Sequence, residues 1–65
     1  MNEDEMKGKL KQAKGRIQSR WGELTDDEVE RMEGDREELI GKVQERYGYS
    51  REQAEREVDN FVRDL

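Results

Sequence analysis

The side chains that most often perform chemistry in proteins are scarce in this sequence. It contains no histidine and no cysteine, so the commonest general base, a thiol nucleophile and a thiolate zinc site are missing. Carboxylates are plentiful, but Asp26-Asp27-Glu28 lacks the alternating spacing and central glycine of a calcium loop. Acidic residues in a row instead suit the first turn of a helix. We therefore predict no catalytic residue, no metal site, no cofactor and no enzyme activity.

Charge is distributed along the chain in two blocks. Residues 6–22 carry six basic side chains and no acidic one, whereas residues 23–38 carry nine acidic and two basic ones. Lys7, Lys11 and Lys14 of the basic block could bind the phosphates of a nucleic acid. Alternatively, the basic flanks of the first helix lie beside the acidic second helix and partly neutralise it. We favour this second interpretation, because a net charge of −5 repels nucleic acid at long range.

Glycines interrupt segments that are otherwise expected to be helical. Gly15 and Gly41 fall on the face opposite the apolar residues, where each costs ~1 kcal/mol relative to alanine. This face could admit a second chain at close range, or the glycines could only lower the stability of the helices. With the three lysines, they form the candidate interaction surface. Gly22, Gly34 and Gly48 are predicted to be helix stops, Gly22 in the left-handed conformation.

The elements that would position these residues depend on few apolar side chains. Leu, Ile, Val and Phe are 11 of 65 residues, about 17%, below the ~20% under which strongly charged chains tend to be disordered. These residues are nevertheless spaced three and four apart, and N-cap residues precede each run. We predict an all-α protein with helices at about 3–21, 26–33, 36–47 and 51–64. The first carries an apolar stripe that begins at Met6 and a capping box of Asn2 and Glu5.

The chain also repeats itself after 26 residues. Met6 then aligns with Met32, and Trp21-Gly22 aligns with Tyr47-Gly48. Half of so short a chain cannot bury its apolar stripe alone, so two similar helical hairpins should pack face to face. We predict one domain, residues 1–65, with pseudo-repeats 6–31 and 32–58. The predicted core is Leu10, Ile17, Trp21, Leu24, Val29, Leu39, Val43, Tyr47, Val58 and Phe61.

Three segments carry a family resemblance: GRIQSRWGELTDDE at residues 15–28, GKVQERYGY at 41–49 and QAEREV at 53–58. Together they resemble the CsbD family of small bacterial proteins, and its YjbJ-like members in particular. The resemblance implies a cytoplasmic protein made under general stress, with a four-helix fold of two crossed hairpins. It offers no catalytic residues to transfer to this chain. Leu10, where many members have an aromatic residue, and Asp35, where a lysine is common, depart from the pattern.

Three functions remain open from the sequence. The first is a non-enzymatic stress-response protein that acts through an unidentified protein partner. The second is a hydrophilin-like protectant of proteins or membranes under osmotic or desiccation stress, favoured by a mean hydropathy of −1.46. The third is weak nucleic-acid binding through the basic first helix. No run approaches the ~18 apolar residues of a membrane span. We expect a cytoplasmic monomer, although a dimer could form through Val62 and Leu65.

Overall fold

A computed structural model describes residues 3–65, apart from the side chains of Glu3 and Met6. The predictions for Asn2 and for the Met6 side chain therefore lie outside the described residues. The described chain is entirely helical, which confirms the all-α prediction, but it has five helices where four were predicted. These are α1 (Glu3–Gln12), α2 (Lys14–Arg20), α3 (Asp26–Met32), α4 (Arg36–Tyr47) and α5 (Arg51–Arg63).

The extra helix arises because the first predicted helix is interrupted at Ala13. This residue has φ −94° and ψ 17°, away from helical values. Its N–H is shared between the carbonyl oxygens of Lys9 at 3.0 Å and Leu10 at 3.2 Å, a pattern common at helix ends. Gly8 and Gly15 on either side have low helix propensity and weaken this segment. The break lets α1 contact α4 and α5 while α2 contacts α3.

The N-termini of the later helices follow the predicted capping residues. The Thr25 hydroxyl accepts the N–H of Glu28 at 3.2 Å, and the Glu28 carboxylate accepts the N–H of Thr25, which completes a capping box. The Asp35 carboxylate accepts two N–H groups of the first turn of α4. The Ser50 hydroxyl accepts the N–H of Gln53 at 3.1 Å at the start of α5. These bonds satisfy donors that have no partner within the helix.

The C-termini agree with the predicted stops at two glycines and differ at the third. Gly34 and Gly48 have φ of +80° and +70°, so both adopt the left-handed conformation of a helix stop. Gly22 does not, and the prediction of a left-handed stop there was wrong. Instead α2 ends at Arg20 with Trp21 as its C-cap, whose N–H still bonds to the Ile17 carbonyl while its ψ leaves the helical range. Glu33, at φ 51°, is the left-handed C-cap of α3.

The apolar stripes of the helices meet in one core, and eight of the ten residues predicted for it are buried. The other two, Tyr47 and Phe61, are half-buried and pack against it. Ile40, Ala54 and Val62 are buried as well. Within the described residues, the radius of gyration is 10.6 Å, close to the ~11 Å of a compact folded chain of this length. The buried predicted residues are Leu10, Ile17, Trp21, Leu24, Val29, Leu39, Val43 and Val58.

Candidate interaction surface

The Lys7 and Lys11 side chains lie on α1 beside the turn that joins α3 to α4. A Cβ placed on Gly34 would come within 2.5 Å of the Lys7 carbonyl oxygen and 3.1 Å of the Lys11 Cγ. The backbone of this turn therefore approaches α1 as closely as only glycine allows. Both lysines remain exposed, but their stems flank a turn that also carries the carboxylates of Glu33 and Asp35.

Lys14, the third predicted lysine, is paired with the acidic helix α3. Its Nζ lies 2.6 Å from Glu30 Oε1. This hydrogen bond raises the pKa of Lys14, with smaller contributions from the charges of Asp26 and Asp27, and it lowers the pKa of Glu30. Glu30 is exposed and Lys14 is partly exposed, so solvent screens the pair and it contributes little to stability. For this lysine, the basic segment does lie beside the acidic one.

Gly15 and Gly41 are exposed on α2 and α4, respectively. A Cβ added at either position would have nothing within 4 Å, and neither residue has a positive φ. Within the described chain, no neighbour and no turn requires a glycine at these positions. Their low helix propensity therefore lowers stability without a packing reason inside this chain. Gly8 on α1 has the same open surroundings.

The Glu28 carboxylate of the acidic segment contacts two basic side chains of another helix. In addition to capping α3, its Oε2 lies 2.6 Å from the Arg46 guanidinium and 3.3 Å from the Lys42 ammonium of α4. The hydrogen bond from Arg46, followed by that from the Thr25 backbone, lowers the pKa of Glu28 to about 2. One carboxylate thus joins α3 to α4. The capping box could be read from the sequence, but the contact with α4 depends on tertiary packing and could not.

Trp21 and Tyr47, which lie at the ends of α2 and α4, make contacts that the sequence did not indicate. The Trp21 ring is buried and lies 5.0 Å from the Phe61 ring of α5, between centroids. The Tyr47 hydroxyl accepts the backbone N–H of Glu23 at 3.1 Å, and its ring stacks on Tyr49 at 5.6 Å. Tyr47 therefore fastens the turn after α2 to the end of α4.

Further ion pairs connect α5 to the rest of the molecule. Arg20 of α2 reaches Glu57 at 2.5 Å, and Arg36 of α4 reaches Asp59 at 2.8 Å. Arg51 at the start of α5 pairs with Glu37 of α4. Such pairs are individually weak, but they select one orientation of the helices over others. Among the described residues, no three acidic side chains converge as a metal site requires.

The fold and surface define a small helical protein with one apolar core and a periphery of cross-helix ion pairs. A family model described as CsbD-like matches residues 4–56. UPF0337 protein YjbJ of Escherichia coli O6:H1 is 54% identical over 61 residues, covering 94% of this chain and 88% of that protein. UPF0337 protein PA4738 of Pseudomonas aeruginosa is 56% identical over 61 residues, covering 94% of each. The chain belongs to the CsbD-like family, which confirms the resemblance stated from its motifs.

In the part of the chain that the structure describes, no helix has the length and apolar character needed to cross a membrane.

Proposed function

We propose that this protein is a non-enzymatic bacterial stress-response protein that acts in the cytoplasm by binding another protein. Membership of the CsbD-like family is the observation that carries the proposal. The described core of apolar side chains adds support, because a folded surface is what a specific partner would recognise. No enzyme activity is proposed.

The partner is proposed to contact the exposed glycines at residues 15 and 41. These positions cost stability and have open space around them, so selection for stability alone would favour alanine there. The lysines are weaker candidates than the sequence implied. Lys14 is paired with Glu30, and Lys7 and Lys11 flank the turn at Gly34.

The experiment is crosslinking in living cells during osmotic or stationary-phase stress, followed by mass spectrometry of the attached proteins. We expect one partner to be enriched with the wild-type protein and to be lost with the combined Gly15→Ala and Gly41→Ala variant. Gly8→Ala is the matched control, because it also places a methyl group in open space on a helix. Absence of an enriched partner would contradict the proposal. Equal enrichment with the double variant would remove the glycines from the interface.

A hydrophilin-like protectant is the alternative that composition favours. The buried core argues against it, because a protectant that is unfolded in dilute solution would have no such packing. Far-UV circular dichroism during heating separates the two. A cooperative loss of helix is expected, whereas a flat melt would favour the protectant.

Weak nucleic-acid binding through the first helix is the other alternative. Lys14 is paired with Glu30, which removes one of the three lysines from this alternative, and the net charge of −5 opposes long-range attraction. We expect no mobility shift at ~50 mM salt, where phosphate contacts are strong. A shift that is lost when Lys7, Lys11 and Lys14 become glutamate would favour this alternative.

We also propose that residues 1–65 are one domain in which 6–31 and 32–58 are two versions of a helical hairpin, packed crosswise. In each half, an aromatic residue ends a helix, and a hydroxyl cap, Thr25 or Ser50, begins the next. An experimental structure tests this, because the two halves should superpose apart from the break at Ala13. Divergent helix angles would contradict it.

We propose that the protein is monomeric. Val62, offered by the sequence as a dimer contact, is 3% exposed and packs in the chain's own core, so it presents little surface to a second chain. Leu65 is half-buried. Analytical ultracentrifugation should give the mass of one chain, and a dimer mass would contradict the proposal.

A further inference from the structure

A groove of about 350 Å³ lies at the junction of α1 and α2, where Ala13 interrupts the helix. Its other lining residues are Lys9, Gln12, Arg16 and Leu65. This lining contains two basic side chains and no acidic side chain. A second groove, of about 370 Å³, lies on the flank that faces α3 and is lined by acidic side chains as well as lysines.

Among the described residues, the two basic side chains of the first groove have no ion-pair partner, as is also true of Lys7 and Lys11 on α1. Lys14 and Arg20 of the same basic segment pair with acids on other helices. Among the described residues, Lys9 and Arg16 are exposed and form neither an ion pair nor a side-chain hydrogen bond. Their charge is therefore available to a ligand.

We propose that this groove binds a small, soluble phosphate-bearing molecule through Lys9 and Arg16. A guanidinium donates two parallel hydrogen bonds to phosphate, and an ammonium adds a mobile charge. Gln12 supplies a further donor, and the side chains of Ala13 and Leu65 are the apolar part of the lining. The volume lies at the lower end of the range for small-molecule pockets.

The same features select the ligand class. Two free cations in one groove can neutralise a short phosphate group, whereas a nucleic acid needs several cations along its backbone. Because the contacts are exposed, the affinity should be in the millimolar range and should weaken with salt. This site is independent of the proposed protein partner, since it uses neither glycine of the candidate interaction surface.

The test is a nuclear magnetic resonance titration of the whole chain with sodium pyrophosphate, at constant ionic strength. We expect amide shifts that saturate and that are centred on residues 9–16. Lys9→Gln and Arg16→Gln should each weaken binding by roughly threefold to fivefold, as expected for one surface ion pair. Arg56→Gln is the control, because Arg56 on α5 is exposed and has no ion pair among the described residues.

Three results would overturn the proposal. The first is the absence of saturable shifts in residues 9–16. The second is an equal loss of binding in Arg56→Gln, which would show a response to net charge alone. The third is binding to phosphatidylglycerol vesicles without binding to pyrophosphate, which would identify a lipid surface instead of a soluble ligand. Loss of the crosslinked partner would leave the pyrophosphate result unchanged, so the two proposals fail separately.

Discussion

Replacing both exposed glycines with alanine should stabilise the protein strongly for a chain of this length. Each substitution removes the ~1 kcal/mol that glycine costs in a helix interior. The added methyl groups at residues 15 and 41 have nothing within 4 Å, so no steric cost offsets the gain. The two sites lie on different helices and share no neighbour, so their effects should add to ~2 kcal/mol. For a domain this small, that raises Tm by about 8–16 °C.

A thermal melt followed by far-UV circular dichroism measures this change. Gly34→Ala is the matched control with the opposite sign. Its φ is +80°, and its new Cβ would lie 2.5 Å from the Lys7 carbonyl oxygen, so it should lower Tm. An unchanged or lower Tm for the Gly15→Ala and Gly41→Ala variant would refute the reasoning. It would mean that these glycines have a structural role within the chain.

Three other changes test the packing and the electrostatics. Trp21→Ala should cost about 3–5 kcal/mol in a chemical denaturation experiment, because it empties a buried site beside Phe61; less than half that loss would contradict core packing. Tyr47→Phe should cost about 0.5–1.5 kcal/mol through loss of the bond to the Glu23 N–H, and an unchanged free energy of unfolding would contradict that bond. The lowered pKa of Glu28 contributes stability that is complete above about pH 4.5 and is lost as the pH falls toward about 2. Glu28→Gln should therefore lower the free energy of unfolding at neutral pH and make it depend less on pH between about 4.5 and 2. Chemical denaturation at a series of pH values measures this, and an equal pH dependence in the variant and the wild type would contradict it.

The helices and most of the core could be predicted from the sequence because both depend on local spacing. Apolar residues three and four apart define the buried face of a helix, and Thr25, Asp35 and Ser50 precede helices as N-caps. The family could be recognised for the same reason, since its motifs span the aromatic-glycine turns and the caps.

The break at Ala13 and the conformation of Gly22 could not be predicted, because tertiary contacts determine both. The apolar stripe that begins at Met6 predicts one helix over about residues 3–21, yet α1 and α2 pack against different partners. The sequence also marks Gly22 and Gly48 as equivalent, but only Gly48 has a positive φ. Glycine permits both signs of φ, so its backbone conformation depends on the direction in which the following segment packs.

The candidate interaction surface was predicted from residue types, which do not show which of its lysines pair with acidic side chains. The basic segment could be identified by counting charges, but counting cannot distinguish a paired lysine from a free one. Lys14 pairs with Glu30, whereas Lys9 and Arg16, which the sequence did not single out, have no partner among the described residues. That difference depends on which face of each helix meets α3.

Native-state hydrogen exchange tests most directly whether the sparse apolar residues form one cooperative core. We predict that amides in the middle of α2, α4 and α5, at Ile17, Val43 and Val58, exchange slowest, with a common free energy of opening equal to that of global unfolding. Exchange of these three amides at the rate of an unstructured peptide in dilute buffer would show that no such core forms.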